Sequence, residues 1–332
     1  MAVIIDLSVL KYGVIHSREL SLEIKAKPEL IKHYVLNSIL YIKSQLQCSR
    51  KNELVLAIDR KKAFKNGEKT IYGYWRDVIY EEKKSILGDG SKGYKFGRER
   101  DASFDWEKIE ECYSEVIEFL KNYTDFKVVE VPGIEADDIC AVLSQSLPGK
   151  NTIVSSDKDL KKLVSDNILF FDWGSKKYET KTYSEEEKIL FYLYGDSGDG
   201  IKSVKKGYRW ENNLSKKTLD EIFREFPDLP LKERYLFNRK LMDLTLSALP
   251  KSVVSAIMDK YSKEDFRFHQ IKIISELNKL GLNEMVEGDI KSIVNRSNEF
   301  QLPQFIFNKD NNKTKEYKKN IERENDIRSK FL

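Results

Sequence analysis

Residues 134–201 decide the fold, because this stretch places three short acidic motifs among apolar segments. The motifs are Glu135-Ala-Asp-Asp138, Ser155-Ser-Asp157-Lys-Asp159 and Gly195-Asp196-Ser-Gly-Asp199-Gly-Ile201. Upstream, Asp6 directly follows the apolar run 3–5, and Asp59 directly follows the apolar run 54–58. Acidic residues that repeatedly come just after apolar runs indicate a site assembled at the ends of buried strands.

Apolar runs and helical periodicity predict an α/β fold upstream of residue 201. The predicted strands are residues 3–5, 54–58, 127–131, 152–154 and 168–171. The predicted helices are 28–46, 104–123, 134–147 and a helix that runs from the capping box of Ser184 and Glu187 to Gly195. Because the strands are near-continuous apolar runs that alternate with helices, we expect a mostly parallel central sheet covered by helices.

The pattern becomes helical after residue 201. Periodicity predicts helices at 215–226, 231–246, 252–261, 265–280 and 284–298, with no convincing strand. From residue 308 the sequence is polar, which favours a mobile tail or a partner-docking segment. We therefore predict an α/β core at 1–194, a helical subdomain at 195–307 and a polar tail at 308–332.

The composition favours a globular protein. Of 332 residues, 40% are hydrophobic and 11% aromatic, and the formal net charge is only +4, so a polyanion would have to meet a local basic patch. The cysteines Cys48, Cys112 and Cys140 form no CxxC pair and predict neither a zinc site nor disulfides. There is no signal-peptide pattern and no apolar segment near the ~20 residues that span a bilayer, so we expect a soluble protein in the cytoplasm.

Residues 60–100 form a basic insertion between two predicted strands. They include 12 Lys/Arg and 6 Asp/Glu, a local net charge of +6. The interleaved aromatic residues are Phe64, Tyr72, Tyr74, Trp75, Tyr80 and Tyr94. Such a segment suits a flexible lid over a polyanion, where lysines attract phosphates and aromatic faces stack on bases. A solvated surface loop with a few core aromatics would show the same composition.

The carboxylates are expected to converge on one edge of the sheet. Ligands of open parallel sheets bind outside the carboxyl ends of the strands, where Asp6, Asp59 and Asp157 fall. Glu135 and Asp138 share one face of helix 134–147. A solvated pattern of helix caps is the alternative, but it would not align so many acids with strand ends.

Clustered carboxylates repel one another unless a cation neutralises them. A cluster without His or Cys selects Mg²⁺ or Mn²⁺, and more than four acids suit two ions about 4 Å apart. Such a pair can cleave a phosphodiester by activating water and stabilising the leaving oxygen. His16, His33 and His269 fall outside the motifs and are expected to be structural or surface residues.

At these motifs the sequence resembles the 5′-nuclease superfamily. The matching segments are Ile4-Ile-Asp-Leu-Ser8, Leu56-Ala-Ile-Asp-Arg60, Ile134-Glu-Ala-Asp-Asp138, Ser155-Ser-Asp-Lys-Asp159 and Gly195-Asp-Ser-Gly-Asp-Gly-Ile201. Gly73-Tyr-Trp-Arg76 and Phe104-Asp-Trp106 make it look most like the T-even-phage ribonuclease H branch. The resemblance covers roughly residues 1–205 and implies a PIN-like nuclease core with a helical DNA-binding subdomain.

The resemblance also implies roles for particular residues. The first metal site would use Asp6, Asp59, Glu135, Asp137 and Asp157, and the second Asp159, Asp196 and Asp199, with Asp137 or Asp138 acting through water. The insertion 60–100 would be the arch that passes a 5′ single strand, with Arg76, Lys83 and Lys84 steering phosphates. Lys202, Lys205 and Lys206, in place of the family's usual Gly-Ile-Gly hairpin, would contact the duplex backbone.

The expected activity is Mg²⁺-dependent 5′-3′ exonuclease and flap endonuclease cleavage, with removal of RNA primers and 5′ flaps in phage DNA replication. Branched or 5′-ended duplex DNA and RNA-DNA would be the substrates of a monomeric enzyme in the host cytoplasm. The tail could dock a single-strand-binding protein or a sliding clamp. The alternatives are a single-strand ribonuclease with a related acidic pocket and a catalytically silent binder of branched DNA.

Overall fold

The course of the chain is known from a computed structural model. It describes residues 1–46, 53–66, 68–84, 93–95, 100–124, 126–204, 218–225, 227–228, 233–264 and 270–282. The predicted helix 284–298, the tail 308–332 and the lysines Lys205 and Lys206 lie outside the described residues.

In the described ranges, five parallel strands and one antiparallel strand form the central sheet. The parallel strands are β1 (Ala2–Asp6), β2 (Glu53–Ile58), β5 (Lys127–Glu130), β6 (Asn151–Ser155) and β7 (Ile168–Asp172), and β8 (Lys177–Glu179) runs antiparallel to β7. The strand order is β5-β2-β1-β6-β7-β8. A separate antiparallel hairpin consists of β3 (Lys62–Asn66) and β4 (Lys69–Gly73). The predicted mostly parallel sheet is confirmed.

Helices cover the sheet. They are α1 (Leu7–Ile15), α2 (Leu20–Ala26), α3 (Leu30–Gln45), α4 (Trp75–Lys84), α5 (Trp106–Tyr123), α6 (Ala136–Ser146), α7 (Lys158–Lys161), α8 (Glu185–Tyr194), α9 (Leu219–Glu225), α10 (Glu233–Met242), α11 (Lys251–Lys263) and α12 (Gln270–Lys279). The capping box that predicted α8 is present, since Ser184 and Glu187 each accept a hydrogen bond from the other's amide, at 3.3 and 2.9 Å. None of the described helices is long and apolar enough to cross a membrane.

β1 lies at the centre of the sheet and of the core. Ile4 pairs with Val55 on one side and with Ile153 on the other, and all three side chains are fully buried. A strand with neighbours on both edges and helices on both faces must be apolar throughout, as the sequence of β1 is. Because the five parallel strands point the same way, their carboxyl ends lie along one edge of the sheet.

The helices beyond residue 201 also contribute to this core. Val253 and Ile257 of α11 belong to the same cluster of buried side chains as Ile4 and Val142. Burial of such side chains contributes roughly 1.5–3 kcal/mol each. The sheet and α11 therefore stabilise one another.

Several elements escaped the sequence patterns, each for a physical reason. β8 has three residues, all of them exposed or half-buried, and it depends on pairing with β7. The β3–β4 hairpin carries no apolar run, so the sequence predicted a lid or surface loop for the insertion 60–100 and no strands. α1 begins directly after Asp6 and has only nine residues, so its helical period is short.

Gly133 fixes the approach of the hairpin to the turn before α6. Its φ is +83°, and a Cβ there would lie 2.5 Å from Cζ of Phe64 in β3. We expect Gly133→Ala to lower the free energy of unfolding by about 2 kcal/mol or more, because the strained backbone and the clash add. Gly281→Ala is the matched control, since Gly281 has a φ of +75° with no atom within 4 Å of the added Cβ. Equal losses in urea unfolding of both variants would contradict the clash.

Candidate metal centre

Asp6 ends β1, and its side chain is fixed by the first turn of α1 and by the end of β6. The amide and hydroxyl of Ser8 donate to its Oδ1 at 3.1 and 2.7 Å, so Asp6 also caps α1. The hydroxyl of Ser155, the last residue of β6, donates to Oδ2 at 3.1 Å. Asp6 is only 5% exposed, so these bonds hold its carboxylate in place. The edge of the sheet where Asp6, Asp59 and Asp157 follow the strands is called the acidic cleft below.

Asp59 joins the end of β2 to the start of α6. The amide of Ala136 donates to Asp59 Oδ1 at 2.8 Å. Ala136 is the first residue of α6, whose positive end favours a carboxylate there. In the same turn, Glu135, Asp137 and Asp138 each place one carboxylate oxygen within 4.8 Å of the others. The strand end and the helix start thus bring four predicted site residues together.

Arg76 is buried against this acidic turn. Its Nη1 donates to Glu135 Oε2 and Asp138 Oδ2 at 2.9 Å each, and its Nη2 donates to Asp138 Oδ1 at 2.7 Å. Its Nε donates to the carbonyl of Leu241 in α10 at 2.9 Å. Arg76 is 1% exposed, so the phosphate contact predicted for it is not compatible with its position.

Asp138 accepts hydrogen bonds on both of its oxygens. Besides the two bonds from Arg76, the indole Nε1 of Trp75 donates to Asp138 Oδ2 at 2.8 Å. Asp138 is completely buried, whereas the side chain of Asp137 in the next position is 16% exposed. With both oxygens occupied and no exposure, Asp138 is poorly suited to the predicted role of a metal ligand. It is suited instead to positioning Glu135 and Arg76.

Lys95 brings a second cation to the cluster. Its Nζ lies 2.5 Å from Glu135 Oε1 and 3.9 Å from Asp199 Oδ2. Its amide donates to the carbonyl of Asp199 at 2.9 Å, which connects the insertion to the third acidic motif. A cation between two carboxylates stabilises their charged forms, as a metal ion would.

The second and third motifs extend the acidic edge. Asp157 caps α7 by accepting a hydrogen bond from the amide of Asp159 at 2.7 Å. Asp159 pairs with Lys162 at 2.7 Å, and Asp196 pairs with Lys158 at 2.8 Å. Asp157 is coupled electrostatically to Asp159 and to Asp199, which places these motifs next to the strand ends.

Burial and mutual repulsion raise the pKa values of the central acids. Burial, then Asp59, then Asp157 raise the pKa of Asp6 to about 7. Asp59 is open to solvent in the cleft, yet the surrounding protein and Glu135 still raise its pKa. Burial and Glu135 raise the pKa of Asp137, and burial and Asp159 raise that of Asp157. Glu135 is the exception, because Lys95 and Arg76 outweigh its burial and lower its pKa.

These residues fit a divalent cation. Asp59 and Asp157 hinder the ionisation of Asp6, and Glu135 hinders that of Asp59 and Asp137, with no His or Cys among them. An all-oxygen set of this kind is what Mg²⁺ and Mn²⁺ prefer. A bound cation would remove the cost of ionising them together.

The predicted nucleic-acid contacts fall in different surroundings. Lys83 is exposed at the end of α4, and Lys84 is half-buried there and pairs weakly with Glu81 at 3.5 Å. Lys202 is exposed just after the third motif. These lysines are accessible to a ligand, in contrast to Arg76.

Sequence reasoning missed Lys95, Ser155 and Lys158 as members of the site. Ser155 and Lys158 lie within or beside a motif that was singled out for its acids alone. Lys95 lies 40 residues before its partner Glu135, so no local pattern connects them. The signal that could have found Ser155 and Lys158 is a polar or basic residue next to the strand-end acid Asp157.

We expect the metal-dependent gain in thermal stability to be larger at about pH 8 than at about pH 6. The raised pKa of Asp6 makes a contribution to stability that is complete below about pH 4 and is lost as pH rises through about 7. A divalent cation such as Mg²⁺ that bound the ionised carboxylates would offset that loss at the higher pH. Melting in EDTA and in MgCl₂ at both pH values measures the difference. Asp6→Asn should shrink it, Asp166→Asn should not, and equal metal shifts at both pH values would contradict the coupling.

The chain is similar in sequence to known proteins. Residues 3–190 match the model of the 5′-3′ exonuclease N-terminal, resolvase-like domain. Ribonuclease H of Enterobacteria phage T4 is 33% identical over 189 residues, which are 54% of this chain and 56% of that protein. The 5′-3′ exonuclease of Aquifex aeolicus is 28% identical over 193 residues, 54% of this chain and 64% of that protein. The matches thus span a little over half to nearly two thirds of these relatives.

A solved structure agrees with the fold. T5 5′-exonuclease with bound divalent metal ions (zinc) superimposes with a TM-score of 0.53 and 19% sequence identity, over 80% of this chain and 99% of that one. The family model covers more than half of the present chain and includes four of the five acidic segments. The chain therefore belongs to the family of the 5′-3′ exonuclease N-terminal, resolvase-like domain.

Proposed function

We propose that the chain is a Mg²⁺-dependent, structure-specific 5′ nuclease. It would hydrolyse a phosphodiester near the junction of a duplex and a 5′ single strand, as a 5′-3′ exonuclease and a flap endonuclease. The observation that carries this proposal is the convergence of Asp6, Asp59, Asp157 and the acidic turn of α6 on one sheet edge. Membership in the exonuclease family and the similarity to a phage ribonuclease H support it.

Two ions would be held by two adjacent groups of residues. The first group is Asp6, Asp59, Glu135, Asp137 and Asp157, and the second is Asp159, Asp196 and Asp199. When bound, the ions supply Lewis-acid stabilisation of the phosphodiester and an activated water. Two ions are favoured over one because Mg²⁺ keeps several of its waters and uses only one or two carboxylates.

The side chains of this chain do the positioning. Ser155 and Ser8 orient Asp6, and the first turn of α6 orients Asp59. Arg76 and Asp138 form a buried pair that holds Glu135. Fixed carboxylates keep the reaction geometry without reorganisation during the chemical step.

The biological role proposed on this basis is the removal of RNA primers and 5′ flaps in phage DNA replication. Lys83 and Lys202 are exposed and Lys84 is half-buried, and all three would contact the phosphates of the arms and the duplex. Lys205 and Lys206 would also contact the duplex backbone. The tail 308–332 would dock a single-strand-binding protein or a sliding clamp. Deleting the residues after Gln304 tests the tail: unchanged stimulation by either partner would remove it.

Cleavage of a 5′-labelled flap duplex tests the function directly. We expect short 5′ products released near the junction with MgCl₂ and none with EDTA, for both RNA and DNA 5′ arms. Free single-stranded RNA of the same sequence is the comparison. Preferential cleavage of free RNA would favour the ribonuclease alternative, and binding of the flap duplex without cleavage under every metal condition would favour the silent binder.

A further inference from the structure

The β3–β4 hairpin leaves the acidic cleft and returns to it. β3 begins three residues after Asp59, and β4 ends one residue before Tyr74. Burial, then Asp59 and Glu135 raise the pKa of the Tyr74 hydroxyl, which shows that Tyr74 borders the carboxylates. Both ends of the hairpin are therefore attached to the candidate site.

Backbone hydrogen bonds anchor the base of the hairpin. The amide of Gly133 donates to the carbonyl of Arg60 at 2.6 Å, and the amide of Trp75 donates to the carbonyl of Gly133 at 2.9 Å. The turn at Gly133 leads directly into Glu135. The hairpin is thus fixed to the same turn that starts the acidic helix, so its direction from the cleft is determined.

One face of the hairpin is used for packing. Phe64 and Ile71 are paired across the strands, and Ile71 is 8% exposed. Phe64 is partly buried against the main core, and its ring lies where a Cβ on Gly133 would be. This face has no room for a ligand.

The opposite face presents Tyr72. Strand alternation puts Tyr72 and its partner Ala63 on this face, together with the next pair, Lys65 and Thr70. Tyr72 is 72% exposed, more than any other large hydrophobic side chain in the described ranges. The neighbouring aromatic residues of the insertion differ, because Trp75, Tyr80 and Tyr94 are all buried.

The hairpin and its base are rich in positive charge, and Lys65 shares the face of Tyr72. Arg60 pairs with Glu130 and Lys69 pairs with Glu81. Across the ranges that the structure describes, Lys61, Lys62 and Lys65 have no ion pair with an acid. Lys65 lies diagonal to Tyr72 on the same face, where Cβ atoms are about 7–8 Å apart. A single polyanionic strand could contact both residues.

We propose that the β3–β4 hairpin binds the unpaired strand of the nucleic-acid substrate, with Tyr72 stacked on a base and Lys65 against a phosphate. This inference rests on the proposed function for the presence of such a strand at the cleft. A base inside a duplex has both faces covered by its neighbours, so an exposed aromatic ring can stack on a base only where pairing has ended. Lys65, on the same face, supplies the complementary charge.

The position of Tyr72 limits which nucleotides it contacts. Tyr72 precedes Tyr74 by two residues, a rise of about 7 Å along an extended strand. The stacked base therefore lies close to the scissile bond rather than far out on the single-stranded arm. The contact would help to select substrates whose pairing ends at the cleft.

Binding in metal-free buffer tests this contact independently of catalysis. The probes are a fluorescent duplex with a 5′ single-stranded arm and a blunt duplex of the same sequence, both titrated in EDTA. We expect Tyr72→Ala to raise the Kd for the armed duplex about 5-fold or more, with less than a 2-fold change for the blunt duplex. Tyr72→Phe keeps the ring and should stay close to the parent protein.

Tyr178→Ala is the matched control, because Tyr178 is 47% exposed on β8, at the far edge of the sheet. Lys65→Gln should lower the slope of log Kd against log salt by about 0.7 for the armed duplex, and Lys177→Gln on β8 should not. Tyr72 is so exposed that its loss should leave the melting temperature unchanged, which separates a binding defect from misfolding.

Two results would overturn the hairpin contact: Tyr72→Ala behaving like Tyr178→Ala, or an equal loss of affinity for armed and blunt duplexes. The proposed function fails separately, if the parent protein cleaves no flap substrate with any divalent metal. Selective binding through Tyr72 without cleavage would keep the hairpin contact and remove the nuclease. Cleavage of the flap substrate without an effect of Tyr72→Ala on binding would keep the nuclease and remove the hairpin contact.

Discussion

Asp157→Asn should reduce flap cleavage by roughly a hundred-fold or more. Metal ions supply several kcal/mol of transition-state stabilisation, and each ~1.4 kcal/mol is a factor of ten in rate. Asp157 is electrostatically coupled to Asp6, Asp159 and Asp199, so it connects both groups of proposed ligands. Loss of its charge should weaken both ion sites.

Asparagine is a suitable replacement because it keeps the fold. Its side-chain oxygen can still accept the hydrogen bond that Asp157 receives from the amide of Asp159, so α7 keeps its cap. Single-turnover cleavage of a labelled flap duplex with saturating MgCl₂ measures the rate. Asp166→Asn is the control, since Asp166 is exposed in the turn before β7. If Asp157→Asn cut within two-fold of the parent rate, Asp157 would not be a ligand.

Arg76→Met should lower the free energy of unfolding by about 3–5 kcal/mol. Arg76 is 1% exposed, and its guanidinium is bonded to Glu135, Asp138 and the carbonyl of Leu241. Methionine preserves much of the volume but leaves Asp138, which is 0% exposed, without its partner charge. An unpaired buried carboxylate costs far more than the pair contributes.

Urea unfolding of three further variants makes the test specific. Arg60→Met removes a guanidinium whose side chain is 53% exposed and should cost less than about 1 kcal/mol. The double variant Arg76→Met with Asp138→Leu removes both charges and should recover much of the loss, whereas Arg76→Lys should not, because it cannot replace the bidentate contact. Similar losses for Arg76→Met and Arg60→Met would exclude a buried ionic network.

The acidic site could be predicted from sequence because two simple rules coincide in it. Parallel strands end along one edge, and acids after apolar runs must therefore meet there. Asp6, Asp59 and Asp157 follow those rules, and the structure brings them together with Glu135 and Asp137. The fold class followed from the same apolar runs, and the structure confirms it.

The basic residues could not be sorted in this way. In a polar insertion, the local sequence around a buried lysine or arginine does not differ from that around an exposed one. The environment of the side chain depends on partners that are distant in sequence. Arg76 was expected to contact phosphate, yet its partners are 59 to 165 residues away. Asp138 was predicted to be a metal ligand for a related reason. Its spacing from Glu135 shows that the two share a helix face, but it does not show which hydrogen-bond donors lie opposite that face. The exposure of Tyr72 likewise depends on how the hairpin packs on Gly133.

The hydrogen bond from Arg76 to the carbonyl of Leu241 can form only after Leu241 has been synthesised. The two residues are separated by 165 positions. At roughly 5–20 residues per second, the ribosome needs about 10–30 s to add that length of chain. In the later part of this interval, after Asp138 has been added and before Leu241 follows, the nascent α/β segment has its acidic turn but lacks the contact with α10 that completes the buried arginine's environment. A ribosome that stalls before Leu241 would thus leave the acidic turn without this support, so we expect the site to mature late in the synthesis of each molecule.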